Sequence, residues 1–121
     1  MKTILLAERD AFLIGVYAKE FRNSGFSVSI ARDEKNIINR IKNINPDVLI
    51  LDAFLEKDAG AAILRELKND LQSKDLKIIL LSYFGKPEGF EEFIGEKNIK
   101  CFSKSEYAAK ELADEIKILI S

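Results

Sequence analysis

The chain has 121 residues, 47% of them hydrophobic, which suits one domain around one core and leaves no room for a second. Lysine and arginine number 19 against 20 acids, a net charge of -1, so no basic field exists to capture nucleic acid or an anionic membrane. Cys101 is the sole cysteine and histidine is absent, which excludes an internal disulfide, histidine triads, imidazole acid-base catalysis and His-rich zinc sites together.

In chain order, short apolar runs alternate with helical patterns. The first strand is predicted at Thr3 to Ala7, running into Glu8-Arg9-Asp10. A helix follows from about Ala11 to Ser24, with Asp10 as N-cap, Gly25 just past its end, and Leu13, Tyr17 and Phe21 on a buried stripe. Ser27 to Ala31 alternates Val28 and Ile30 with serines, the pattern of an edge strand covered on one side. The second helix covers about Asp33 to Asn43 with Ile37, Ile38, Ile41 and Ile44 inward, and Pro46 marks the return to a strand at Val48 to Asp52.

That third strand is continuously apolar until Asp52, as a strand covered on both faces would be. A third helix is predicted from Gly60 to Leu71 with Ile63, Leu64, Leu67 and Leu71 inward, then a strand from Lys77 to Leu81 running into Ser82. A short fourth helix is expected from Pro87 to Lys97, carrying only Phe90, Phe93 and Ile94 as apolar content. The opposite edge strand is Lys100 to Ser103, with Phe102 as its core residue, and a fifth helix from Ala108 to Ile120 buries Leu112, Ile116 and Leu119 or Ile120.

Alternating strands and helices with short connections imply an α/β doubly wound parallel sheet with right-handed crossovers. Three central and two edge strands suit the order 2-1-3-4-5, the flavodoxin-like arrangement, with five helices. Ligands in such sheets bind outside the carboxyl ends of the strands, near the point where strand order reverses. Glu8, Arg9 and Asp10 then stand beside Asp52, with Ser82 one strand over and Lys104 at the end of the last strand. A carboxylate nucleophile, a cation and donors to equatorial oxygens are what phosphoryl transfer requires.

Other chemistries lack their residues. A flavin or nucleotide binder would need a glycine- or hydroxyl-rich loop after the first strand, where Glu8-Arg9-Asp10-Ala11 stands, and neither G-x-G-x-x-G nor a P-loop occurs. A haloacid-dehalogenase-like phosphohydrolase would need a second aspartate two residues after Asp52, where the chain has Phe54. An enzyme is therefore not expected.

With these residues placed, the chain resembles, over nearly its whole length, the receiver domain of two-component response regulators, the CheY-like family. The family's acidic pair falls on Glu8 and Arg9 in ILLAERD, its phosphoacceptor on Asp52 in VLILDAFLEKDAG, and the glycine opening the third helix on Gly60. Its serine or threonine falls on Ser82 in IILLSYF and its lysine on Lys104 in KCFSKSE. The resemblance implies that Asp52 takes a phosphoryl group from a sensor histidine kinase or phosphotransfer protein, aided by magnesium at Glu8 and Asp52. Ser82 and Lys104 would bond the phosphoryl oxygens, and a downstream protein would be met through the face of the fourth helix, fifth strand and fifth helix. The expectation is a stand-alone, single-domain, cytoplasmic receiver, monomeric or a weak homodimer, with no nucleic-acid or membrane partner.

Several positions depart from the family. Arg9 replaces the acid that ligates magnesium, an ion that takes oxygen donors only. At ~4 Å and an effective dielectric of about 20, each unit-charge pair is worth roughly 4 kcal/mol, so an inward guanidinium would oppose the metal strongly. Either Arg9 swings outward and Asp10 or Glu8 supplies the missing oxygen, or its fork pairs with Asp52 or Glu8 and stands in for the metal. Cys101 occupies the usual switch aromatic, with Phe102 pointing to the opposite face. Ser105 follows Lys104 where a proline is common, so a trans bond is expected, and Glu56 replaces another proline in the charged loop FLEKDAG. Tyr83 stands where a small residue usually gives access to the pocket, either as a lid over Asp52 or as a loop anchor. Phe84, Gly85, Pro87, Gly89 and Phe90 form an aromatic loop suited to a partner. The rival reading is a pseudo-receiver, a phosphorylation-independent interaction module.

Overall fold

A computed structural model describes residues 1–56 and 59–121. Five parallel strands form one sheet in the order β2-β1-β3-β4-β5: β1 Thr3–Ala7, β2 Ser27–Ala31, β3 Val48–Asp52, β4 Lys77–Ser82 and β5 Ile99–Ser103. The order agrees with the sequence expectation, and the strand bounds differ from it by at most one residue. Because each strand's side chains alternate, the sheet feeds two cores. Leu5, Leu49, Leu51, Ile78 and Leu80 face one, while Ile4, Leu6, Val48, Ile50, Ile79 and Leu81 face the other. Burial on both faces is why β1, β3 and β4 read as unbroken aliphatic runs.

Among the described residues four helices cover the sheet: α1 Ala11–Asn23, α2 Glu34–Ile44, α3 Ala59–Lys68 and α4 Ala109–Ile120. α2 and α3 contribute Ile37, Ile41, Ile63, Leu64 and Leu67 to the first core, and α1 and α4 contribute Tyr17, Phe21, Leu112 and Ile116 to the second. A fully buried side chain of this size contributes about 1.5–3 kcal/mol by leaving water. Asp10 caps α1 through Phe12 and Leu13 N–H groups at 2.9 and 3.1 Å. Asp33 caps α2 through Asn36 N at 2.9 Å, and Asn45 ends that helix in the left-handed region at φ 48°.

The fourth of the five helices expected from sequence, between Pro87 and Lys97, is not formed, and the structure has turns there. Gly85, Gly89 and Gly95 adopt φ of 52°, 91° and 101°, values incompatible with a continuous right-handed ladder. Phe90 and Phe93 are buried in the first core regardless, so the two rings anchor the segment without a helical stripe. Exposed pairs of Arg65 with Glu92 and Lys68 with Glu96, both at 2.9 Å, tie it to α3 and add little stability. Leu71, expected inward, is 84% exposed because α3 ends at Lys68.

Gly60 marks a close approach. A Cβ there would sit 2.9 Å from Phe90 Cζ and 3.2 Å from the Ala53 carbonyl oxygen, so the glycine lets α3 and the turn segment close on β3. Among the described residues every peptide bond is trans, including the one before Ser105. Of the loop FLEKDAG, Lys57 and Asp58 lie outside the described residues. Among the described residues no helix is long and apolar enough to cross a membrane.

Candidate functional site

Sheet register brings the carboxyl ends of β1, β3, β4 and β5 into line. Ala7 pairs with Leu51, Asp52 with Leu81 and Ser82 with Ser103, so the first residues past each strand emerge on one rim. Glu8, Asp52 and Lys104 meet there. Lys104 Nζ lies 2.8 Å from Glu8 Oε1 and 3.5 Å from Asp52 Oδ1, with all three side chains at most 7% exposed.

Backbone donors hold the carboxylates. Glu8 Oε2 accepts from the N–H groups of Arg9 at 3.0 Å and Asp10 at 3.2 Å, and Asp52 Oδ1 accepts from Phe54 N at 3.0 Å. Burial pushes the Glu8 carboxyl upward, the Lys104 hydrogen bond opposes that, and neighbouring Asp52 adds to the rise. Burial also disfavours the Lys104 ammonium, but the bond to Glu8 and the charges of Asp52 and Glu8 more than reverse this, leaving its pKa raised. The buried ammonium is thus kept charged by the two carboxylates beside it.

Arg9 is exposed and pairs with neither Asp52 nor Glu8: its Nη1 donates to the Leu55 carbonyl at 3.2 Å. The pairing with Asp52 or Glu8 that the sequence left open is not formed, and Lys104 occupies the ion-pair position instead. Asp10 supplies no replacement oxygen, since its carboxylate caps α1. Ser82 is fully buried and its hydroxyl donates to the Gly85 carbonyl. Lys104 N in turn donates to Ser82 O at 2.6 Å, linking the two strand ends.

Cys101 is half-buried against the first core and Phe102 packs in the second, 4.7 Å from the Tyr107 ring, so the expected alternation holds. Burial raises the Cys101 thiol pKa, opposed by Ser82. Tyr83 is 48% exposed and stacks on Phe54 with centroids 6.2 Å apart, and Lys104 Nζ sits 4.8 Å from its ring centre. Both rings line an open cavity of about 340 Å³ with Glu8, Asp52, Arg9 and Arg32.

Phe54 and Arg32 were missed as site residues by sequence reasoning. Each had a topological signal: Phe54 lies two residues past β3 beside Tyr83 at the end of β4, and Arg32 follows β2 directly beside Arg9 at the end of β1. Among the described residues no group of three acidic, histidine or cysteine side chains is arranged to hold a metal.

Comparison with known proteins gives one consistent result. A family model described as the response regulator receiver domain matches residues 4–117. The phosphate regulon transcriptional regulatory protein PhoB of Escherichia coli is 25% identical over 113 residues, covering 90% of this chain and 49% of PhoB. The alkaline phosphatase synthesis regulator PhoP of Bacillus subtilis is 21% identical over 120 residues, 98% of this chain and 48% of that protein. The chain spans about half the length of the curated relatives it matches. In fold, it superimposes on Vibrio cholerae chemotaxis protein CheY4 with a TM-score of 0.85 at 17% identity, covering 98% of each chain.

Proposed function

Since the chain belongs to the response regulator receiver family, we propose that it is a phospho-switch that accepts a phosphoryl group on Asp52 and passes the signal on through protein contact. Receiver domains are signalling modules that interact with histidine kinases or phosphotransfer proteins, and a phosphohistidine on such a partner is the donor proposed here. The carboxylate oxygen attacks phosphorus, the P–N bond breaks, and its electron pair leaves with the imidazole. The observation that carries this reading is the buried Lys104 ammonium, 2.8 Å from Glu8 and 3.5 Å from Asp52. It orients Asp52 before transfer and meets the about two negative charges that arrive with the phosphoryl group.

Ser82 is the second phosphoryl ligand in this reading. Its hydroxyl must release the Gly85 carbonyl to turn toward Asp52, which frees one anchor of the 83–98 segment. The charge change at Asp52 is thereby converted into a change of surface at that segment, β5 and α4. Phe84 and Ile118, 81% and 70% exposed, make this the proposed contact for a downstream protein.

Magnesium is the family's usual cofactor at this site, and the residues here fit it poorly. Glu8 and Asp52 offer carboxylate oxygens, but each has an oxygen held by Lys104, Asp10 caps a helix, and Arg9 stands where a ligating acid is expected. Tyr83 serves in this reading as a partial lid, stacked on Phe54 at the cavity mouth. A pseudo-receiver is the second reading, favoured by the engagement of the Ser82 hydroxyl with Gly85.

Intact-mass measurement after incubation with acetyl phosphate tests the proposal. Wild-type protein is expected to gain one phosphoryl group and Asp52→Asn none. An unmodified wild type that binds its partner as well as Asp52→Asn does would establish the pseudo-receiver instead.

A further inference from the structure

Around the two buried carboxylates the structure collects three cationic side chains, and two of them belong to no ion pair among the described residues. Lys104 bridges Glu8 and Asp52. Arg9 and Arg32 line the same cavity as those carboxylates, and each is steadied by a main-chain acceptor. Arg9 Nη1 donates to Leu55 O at 3.2 Å, and Arg32 Nη2 donates to Arg9 O at 2.6 Å. A guanidinium has five N–H donors, so one anchoring bond leaves a fork for an incoming oxygen. The neighbouring acids are occupied elsewhere: Asp10 and Asp33 cap α1 and α2. Glu56 shares an adjoining cavity with both arginines, yet makes no ion pair with either among the described residues.

Charge balance gives this arrangement a purpose. A phosphorylated Asp52 carries about two negative charges, and Glu8 adds one when ionised. Lys104 offsets one of the three. Arg9 and Arg32 together bring two positive charges, as one divalent cation would, to set against the remaining two and the Asp10 carboxylate at the same cavity. Resting on the phospho-switch reading, we propose that Arg9 and Arg32 form a guanidinium clamp for a phosphoryl dianion at Asp52, in place of a metal ion. Phosphoramidate, a small relative of the phosphohistidine donor already proposed, serves as the probe. With zwitterionic phosphoramidate the Asp52 oxygen attacks phosphorus, the P–N bond breaks, and nitrogen departs as ammonia with the protons it already carries. No metal enters that balance.

Phosphoramidate labelling followed by intact mass, in EDTA and in magnesium, tests the clamp. Wild-type labelling in EDTA is expected within about twofold of that in magnesium, with Arg9→Ala and Arg32→Ala each slower by about tenfold in EDTA. Arg9→Asp is expected to become magnesium-dependent by about tenfold, as an oxygen donor returns. Both arginines are at the surface, and circular dichroism is the control for folding of each variant. Wild-type labelling that requires magnesium overturns the clamp and leaves the phospho-switch standing.

If wild type is labelled under neither condition, the phospho-switch reading fails and the clamp is judged separately. For that, Asp52→Asn protein is titrated with inorganic phosphate in EDTA and followed by 31P line broadening. Binding that is lost in Asp52→Asn/Arg9→Ala and Asp52→Asn/Arg32→Ala upholds the clamp. No binding, or binding indifferent to the arginines, overturns it.

Discussion

The carboxylate rim and the 83–98 segment both begin at carboxyl ends of strands, yet they are held in opposite ways. Around Glu8 and Asp52 the backbone leaves the sheet under close control: strand register, N–H groups on both carboxylates and the Asp10 cap determine each residue's position. Between β4 and β5 no helix forms, three glycines take positive φ, and attachment falls chiefly to Phe90 and Phe93. The difference teaches that one fold can hold a cluster of charged groups rigidly while attaching a neighbouring segment by a few exchangeable anchors, the division of labour that the proposed phospho-switch would use. Ser82 joins the two, with its backbone in the rim's sheet and its hydroxyl on Gly85 of the segment.

Removing an aromatic anchor challenges this contrast most severely. Phe93→Ala, at a fully buried position, is expected to cost about 3–5 kcal/mol in urea unfolding. Hydrogen exchange should then accelerate in 83–98 before β1 and β3. Equal acceleration across the sheet would show that the segment is not a separate unit.

Lys104→Met strips the rim of its ammonium and leaves two carboxylates facing each other, an expected loss of about 3 kcal/mol at neutral pH. The same variant has a pH signature. The folded chain holds the Lys104 proton above its ordinary value of 10.5. Its stabilisation is therefore complete below that value and is lost as pH rises through the folded one. Wild-type urea midpoints should fall over that alkaline window by more than those of Lys104→Met; parallel curves would contradict the pairing.

Gly89→Ala has open space for its methyl group, so its expected cost of about 1–2 kcal/mol comes from the backbone at φ 91° alone. A neutral outcome in thermal melts would mean that the segment relaxes freely. Smallest is Asp10→Ala, expected to cost about 1 kcal/mol by uncapping α1. Asp52 labelling should survive it, because the Asp10 carboxylate at the cavity's edge is engaged by the Phe12 and Leu13 N–H groups.

Much of the site was legible because its residues end strands. An unbroken aliphatic run followed by Asp52, another followed by Ser82, and a last strand followed by Lys104 place three side chains once strand order is known. The cap at Asp10 was legible too, since it depends only on residues within one turn. Arg9 was harder: both placements satisfied its chemistry, and the choice went to Lys104, 96 positions away from Glu8 in the chain. Arg32 went unnoticed because nothing local marks an arginine after an edge strand as functional.

By itself the sequence determined the parallel sheet, its strand order and the family resemblance, because hydrophobic period and strand-end residues are local properties repeated along the chain. The tertiary structure alone decided that 83–98 would turn instead of coil into a helix, that Leu71 would face water, and that Lys104 would bridge the carboxylates while Arg9 lies outside them. Those outcomes arise from competition among groups distant in sequence for the same space and the same charge, and no local pattern ranks such competitors.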